Sequence, residues 1–310
     1  MSNHLIIGAG AIGTATALEL ARRGDKVTIV TRSGSGPDHE AIAKVAADAS
    51  DADVITGQAG GMESIINCAN PPYDRWEHDW PPIAAALLAA AERSGAVLAT
   101  MSNLYGYGHV DAPMTESTPL SATGTKGRVR ADMWRQALAA HEAGRVRAVE
   151  ARAGDFFGPG VRNAHIGERS MPRLLAGRSV QAIGRTDQPH TWSYAPDVGA
   201  TLATLVATPA AWGRAWHVPS EAPLTQAEVF ARLAEAGGLP PAKVTALPSF
   251  MLRAAGWFVP MMRELRETEH QFAKPFVMDS RAAQEAFGLA PTPYSESLPA
   301  TVEWWRRELA

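Results

Sequence analysis

Leu5-Ile6-Ile7-Gly8-Ala9-Gly10-Ala11-Ile12-Gly13, near the start of the chain, is the stretch that decides the fold. The triplet Leu5-Ile6-Ile7 reads as a buried strand, and the alanine-rich run from Ile12 to Arg23, closed by Gly24, reads as the helix after it. Between them the glycines keep the spacing Gly-x-Gly-x-x-Gly. Gly8 permits a tight turn, Gly10 leaves room for a diphosphate beside the backbone, and Gly13 lets the helix pack on the strand. The first helical residues, Ala11 and Ile12, add unspent N–H groups and a partial positive charge. A glycine-rich turn with no ligand is the alternative, but the strand–turn–helix setting favours a dinucleotide site.

The next strand, Lys26 to Thr31, tells which dinucleotide to expect. A carboxylate at its end would accept from the ribose hydroxyls of NAD. Here Thr31-Arg32-Ser33 follows instead. Arg32 can pair with the 2′-phosphate of NADP, and Thr31 and Ser33 can donate to it. NADP is therefore the expected cofactor, with NAD as the alternative and a solvated Arg32 as its consequence.

Strand–helix alternation continues outward. Ser64 to Cys68 and Val97 to Thr100 read as strands, and Pro81-Pro82 opens a helix to Ser94. Gly127 to Ala143 is a further helix and Arg147 to Arg152 a strand. Such units build an α/β fold, a Rossmann-type doubly wound parallel sheet. The division expected is a dinucleotide-binding domain over residues 1–152. A smaller mixed domain over 153–310 would be mainly substrate-binding, with some elements returning to the sheet. Helices are expected over Val198 to Ala207, over Thr225 to Ala236 with a Thr225/Glu228 capping box, around Ser249 to Val259 and over Ser297 to Leu309.

The 310 residues are 46% hydrophobic and 20% charged, which suits a globular protein, and the net charge of −3 gives no reason to expect nucleic acid or an anionic membrane. The single cysteine, Cys68, cannot form an intrachain disulfide and points to a reducing compartment. The N-terminus carries no secretory pattern, and the longest apolar run, Ile83 to Ala91, is about half of a membrane span. A cytoplasmic protein is expected. His78 and Asp79 lack a third ligand at a suitable spacing, so no metal site is expected. Nothing resembles a Gly-x-Ser-x-Gly elbow or a Walker loop.

Several landmarks stand in order: the glycine loop, Ala47-Asp48-Ala49, Asn67-Cys68-Ala69-Asn70-Pro71-Pro72, Leu104-Tyr105-Gly106, Thr115-Glu116 with Pro119-Leu120, and Phe157-Gly158-Pro159-Gly160. The ordered set resembles the extended short-chain dehydrogenase/reductase family of epimerases, dehydratases and reductases. The resemblance implies that Asp48 sits near the adenine and that Ala69 and Asn70 line the middle of the dinucleotide. It places the Gly158-Pro159-Gly160 turn near the nicotinamide. The family's Tyr-x-x-x-Lys pair counts onto Lys126 and Arg130, so the resemblance is to an atypical branch with a degraded active site. The family's serine or threonine falls on Met101, between Thr100 and Ser102, and a one-residue slip makes Ser102 a candidate.

Hydride transfer to a carbonyl needs a proton donor beside the forming alkoxide. By position Lys126 could take that role, with Arg130 bonding the nicotinamide ribose; alternatively both bind an acidic group or lie solvated on the helix. Tyr107 is the second candidate phenol, read as freer than Tyr105, which the resemblance makes a packing residue. His109, His165 and His190 read as loop residues that could approach the pocket, and Trp76, Trp80 and Trp192 as packing or pocket walls. Arg162, Arg169, Arg173 and Arg185, with Trp192 and Tyr194, suit a cleft for a small-molecule substrate, an anionic one included. Three readings stay open: an NADP(H)-dependent oxidoreductase, an epimerase or dehydratase of sugar nucleotides, and a non-catalytic NADP(H) binder. By resemblance a homodimer would form through the helices Pro81 to Ser94 and Gly127 to Ala143.

Overall fold

The computed structural model describes residues 1–247, 267 and 270–310. The helix expected around Ser249 to Val259 lies outside the described residues. Strand β1 (Asn3–Ile7) leads into helix α1 (Ala11–Arg22), then β2 (Lys26–Thr31), β3 (Ile42–Ala46), α2 (Ala52–Ala59) and β4 (Ser64–Asn67). Helix α3 (Trp76–Ser94), β5 (Val97–Asn103), α4 (Thr125–Glu142) and β6 (Arg147–Ala153) follow. The later chain contributes β7 (Asp155–Phe157), α5 (Met171–Leu175), β8 (Val180–Ile183), β9 (Trp192–Tyr194), α6 (Ala195–Ala207), β10 (Ala215–His217), α7 (Gln226–Ala236) and β11 (Val244–Leu247).

Seven strands form a parallel sheet in the order β10-β6-β5-β4-β1-β2-β3. Alternate side chains of β1 show why both faces are covered. Leu5 and Ile7 join Val30, Ile65 and Leu98 in one apolar cluster, with Ile55 of α2 and Leu87 of α3. Ile6 joins Ile29, Ile66 and Ala99 in the other, with Leu20 of α1 and Leu202 of α6. Strands buried on both faces need apolar residues at successive positions, which is what the run Leu5-Ile6-Ile7 supplies. A separate core gathers Phe157, Ile166, Trp192, Phe230, Leu298 and Trp305.

From β1 the chain runs outward to β2 and β3, then returns to β4 on the other side of β1. Neighbouring loops therefore diverge above β1 and β4, the position where parallel α/β sheets open a crevice at the strands' carboxyl ends. Gly8 makes the turn there: its φ of 100° lies in the left-handed region, and a side chain would place Cβ 2.7 Å from the Cys68 carbonyl oxygen.

Two local readings are corrected. Pro81 and Pro82 do not open α3 but lie inside it, because the helix begins at Trp76. The Trp76 indole anchors that start by donating to the Pro71 carbonyl at 2.9 Å, and burial of Trp76 and Trp80 offsets the backbone bonds the prolines forgo. Strand β3 and helix α2 were not anticipated; β3 is an edge strand whose buried apolar content is confined to Ile42. Among the described residues no helix is long and apolar enough to cross a membrane.

Candidate functional site

A cleft of about 740 Å³ runs across the carboxyl ends of the central strands, from Arg32 and Asp48 past the glycine loop to Tyr105, Asp155 and Gln271. At its middle, α1 starts at Ala11 with Gly10 as its cap residue, and no side chain caps the free N–H groups. No acidic side chain stands in that first turn. A Cβ built on Gly10 meets nothing within 4 Å, so the space facing it is open, whereas one on Gly13 would lie 1.9 Å from the Gly8 carbonyl oxygen. Open space, uncapped N–H groups and a helix N-terminus suit a diphosphate. Gly8, Gly10, Ala11 and Ile12 line the cleft, as do Ala69 and Asn70 opposite; Gly13 does not and serves helix–strand packing.

At the β2 end, Thr31 and Arg32 line the cleft and Ser33 does not. Ser33 Oγ instead donates to Ser35 Oγ at 2.9 Å, while Thr31 Oγ1 donates to the Ser35 carbonyl at 3.1 Å. Arg32 is exposed, with the Asp48 and Asp79 carboxylates close enough to feel its charge. Asp48 accepts from the backbone N–H and hydroxyl of Ser50, which hold its carboxyl below the usual range.

The opposite end is built from β4, β5, β7 and the C-terminal chain. Ser102 and Asn103 line it from β5, Tyr73 from the loop after β4 and Tyr105 from the loop after β5. The hydroxyls of Tyr73 and Tyr105 are hydrogen-bonded to each other. Burial pushes the Tyr73 phenol up to about 12, and burial, with the neighbouring Tyr73 and Asp155, raises that of Tyr105 well above its ordinary value. Asp155 Oδ2 accepts from His190 Nε2 at 2.6 Å, and His190 Nδ1 faces the Gln271 carbonyl at 3.3 Å. Burial disfavours the Asp155 charge, yet the His190 bond outweighs it and holds the carboxyl below its ordinary value. The buried Gln271 carboxamide nitrogen has no hydrogen-bond partner among the described residues.

Lys126 and Arg130, one helical turn apart on α4, are both buried and meet different surroundings. Arg130 lines the cleft, lies 4.7 Å from the Trp76 ring and 4.3 Å from the Trp80 ring, and donates to the Met101 carbonyl at 3.3 Å. Burial lowers its pKa to about 10. Lys126 is not part of the cleft lining: its Nζ stands 5.5 Å from the Tyr73 ring centre and 3.6 Å from Glu267 Oε2. Glu267 also caps α4, accepting from the backbone N–H of Lys126 at 2.7 Å and Gly127 at 3.3 Å.

The reading of Tyr107 as the freer phenol is corrected. Tyr107 is fully buried away from the cleft, while Tyr105 lines it. Arg152 Nη1 donates to the Tyr107 hydroxyl at 2.8 Å, and that hydroxyl lies 2.6 Å from His217 Nε2. The arginine set is also dispersed. Arg162 reaches the cleft but pairs with Glu308 at 2.5 Å, Arg185 pairs with Asp187 at 2.7 Å, and Arg173 donates to the Ser179 carbonyl. Trp76 is a cleft wall; Trp80 and Trp192 are core. Tyr73, Asp155, His190 and Gln271 form the part of the site that no sequence motif announced, apart from His190 as a loop histidine.

Comparison with known proteins fits this geometry. In fold the chain is similar to the dTDP-glucose 4,6-dehydratase DesIV of Streptomyces venezuelae, solved with NAD bound; identity is 19% over 98% of this chain and 97% of that one, with a TM-score of 0.80. It is likewise similar to the UDP-glucose 4-epimerase of Thermotoga maritima, solved with UDP-glucose, at 18% identity over 99% and 100% of the two chains and a TM-score of 0.80. The epimerase Mth375 of Methanothermobacter thermautotrophicus gives 19% identity over 99% and 93%, with a TM-score of 0.83. At such identities the likeness is one of fold. No curated protein sequence matches the chain significantly. A sequence model of the NAD dependent epimerase/dehydratase family matches residues 4–218. That match spans most of the chain, and the chain belongs to the NAD dependent epimerase/dehydratase family.

Proposed function

We propose that the chain is an NADP(H)-dependent oxidoreductase that moves a hydride to or from a carbonyl or hydroxyl carbon of a small molecule. The observation that carries this reading is the cleft itself, with a backbone cradle for a diphosphate at one end and buried hydroxyl, carboxylate and amide groups at the other. The N–H groups of Ala11 and Ile12 would hold the diphosphate, with Gly10 giving it room. Asp48 would stand by the adenine, and Ala69 and Asn70 beside the middle of the dinucleotide. Arg32, with Thr31 beside it, would take the 2′-phosphate; no carboxylate occupies the end of β2. A dinucleotide bound there supplies or removes the hydride at its nicotinamide ring. Arg130, which lines the cleft, would bond the nicotinamide ribose. Lys126, which counts onto the family's tyrosine, stands behind Tyr73 as a positive charge, and Ser102 offers a hydroxyl to the substrate oxygen.

A second reading has its own support. Family membership and the NAD-bound dehydratase and UDP-glucose-bound epimerase neighbours favour internal redox on a sugar nucleotide, with the dinucleotide returned to its starting state in each cycle. Fluorescence titration of the nucleotide-free protein with NADPH and NADH separates the two. The oxidoreductase reading expects at least tenfold tighter NADPH binding, lost in Arg32→Ala, since charge-assisted bonds contribute about 1.5–3 kcal/mol each. Equal or tighter NADH binding supports the second reading and makes Arg32 a bystander. Pairing of two copies through the outer faces of α3 and α4 is part of the same proposal; a solution mass equal to the 33.0 kDa chain contradicts it.

A further inference from the structure

Hydride transfer leaves an oxygen that must gain or lose a proton, and the groups able to serve are those that reach the cleft. Lys126 does not line it. Tyr107 is sealed in the core by Arg152 and His217. Asp155 is engaged by His190, and a serine hydroxyl such as that of Ser102 is a weak acid without a base beside it. Asp48 and Asp79 belong to the Arg32 end of the cleft, so at the Asp155 end the two phenols remain, bonded to each other on the cleft wall.

We propose that Tyr73 is the catalytic proton donor and acceptor of this cleft, with Tyr105 as a positioning residue whose hydroxyl donates to the Tyr73 oxygen. The inference rests on the hydride-transfer reading above and names its missing acid. In the reducing direction the carbonyl carbon receives the hydride and its two electrons from the reduced nicotinamide dinucleotide. The C=O π bond breaks, a C–H bond forms, and the oxygen takes the Tyr73 proton to become a hydroxyl. The Tyr73 phenolate that remains is stabilised by the Tyr105 O–H and is reprotonated from water; oxidation is the reverse.

Charges around the pair divide into two sets. From α4, Lys126 lies against the Tyr73 ring and Arg130 favours the phenolate of either tyrosine. From β7 Asp155, and from the C-terminal chain Glu267, oppose ionisation of Tyr73, as do the neighbouring phenol and burial in its own surroundings for Tyr105. Asp74 and Arg75 flank Tyr73 on its own turn. His190 faces Asp155 from behind. The balance keeps both phenols protonated while the cleft holds no added charge. The positive ring of an oxidised nicotinamide would tip that balance towards phenolate, whereas a reduced, neutral ring would not.

The test uses the full chain with NADP⁺ and NADPH as probes, binding being followed by fluorescence from about pH 7 to pH 10, below and across the ordinary tyrosine range. In the native chain NADP⁺ affinity rises with pH by up to about tenfold per unit while NADPH affinity does not, because binding releases a proton. Tyrosinate absorbance should grow as NADP⁺ is added at the alkaline end. Tyr73→Phe, still binding NADPH at neutral pH, loses both signals, and Tyr105→Phe shifts them to higher pH. An unchanged pH dependence in Tyr73→Phe overturns the proposal. So does native protein that binds NADP⁺ with neither a pH dependence nor a tyrosinate signal, a result that needs no variant to fold. Failure to bind either nucleotide overturns the dinucleotide reading itself.

Discussion

Tyr107→Phe removes one oxygen from the buried network between the sheet and the C-terminal chain. The direction of each bond follows from the acceptors around His217. Its Nδ1 faces the Asp279 carbonyl at 2.7 Å and must donate there, so Nε2 accepts from the Tyr107 hydroxyl at 2.6 Å. The same hydroxyl accepts from Arg152 Nη1 at 2.8 Å, and Arg152 Nε donates to the buried Glu150 at 2.6 Å. Without the hydroxyl, a buried guanidinium donor and a buried imidazole nitrogen both lose their partner. Each orphaned group costs about 1–3 kcal/mol, so the variant should lose about 2–6 kcal/mol. At roughly 2 °C per kcal/mol for a chain of this size, its melting temperature should fall by about 4–12 °C. Thermal unfolding followed by circular dichroism measures this, and NADPH titration at 20–25 °C (roughly room temperature, where the fold persists) should give the native affinity. An unchanged melting temperature combined with weakened nucleotide binding would refute the reasoning and return Tyr107 to the cleft.

Other outcomes follow from the glycine loop and the buried histidines. Gly10→Ala should melt as the native protein does but bind NADPH at least tenfold more weakly, because its methyl group occupies only the open space of the cleft. Gly13→Ala should instead lose about 1–3 kcal/mol of stability in the same assay, since its Cβ must clear the Gly8 carbonyl oxygen. Burial lowers the pKa of His4 and His217 below 6.5, and that of His165 to about 4. Each binds its proton more weakly in the fold than in the unfolded chain. Their contribution is therefore full above pH 6.5 and is lost as pH falls towards 4. Melting temperatures should drop from pH 7.5 to pH 5 (about the span from above to within that window); a rise across this interval would contradict the assignment.

What was legible in the sequence was whatever is written locally. β2 begins and ends at Lys26 and Thr31 as read, and the Thr225/Glu228 capping box is formed with both of its bonds. The glycine loop declared its geometry because a tight turn, an open cradle and a close helix contact each exclude a side chain. The far end of the cleft carried no such signature. Asp155 and His190 are 35 positions apart, and Glu267 caps α4 from 141 positions away. No periodicity or spacing brings such groups together; the crossings of the sheet do. Tyr107 was misread for the same reason, since its partners Arg152 and His217 stand 45 and 110 positions along the chain. Tyr73 carries no local signal either, because it stands on the turn after β4, far along the chain from the Tyr-x-x-x-Lys positions on α4.

The cover over α1 bears on how the protein is made. Leu20 and Ala17 of α1 share their cluster with Val198 and Leu202 of α6, and Arg23 reaches the Ala200 carbonyl and Thr204 hydroxyl of that helix. Strand β10, which completes the sheet beyond β6, arrives later still. A nascent chain therefore synthesises its glycine loop and α1 early yet must wait for α6 and β10 before that apolar face is shut away from water. During vectorial synthesis the exposed face of α1 and the open edge of β6 are available to chaperones and to other chains. A fragment ending at Arg152 would keep that exposure permanently, and aggregation rather than a smaller folded protein is the expected fate of such a truncation.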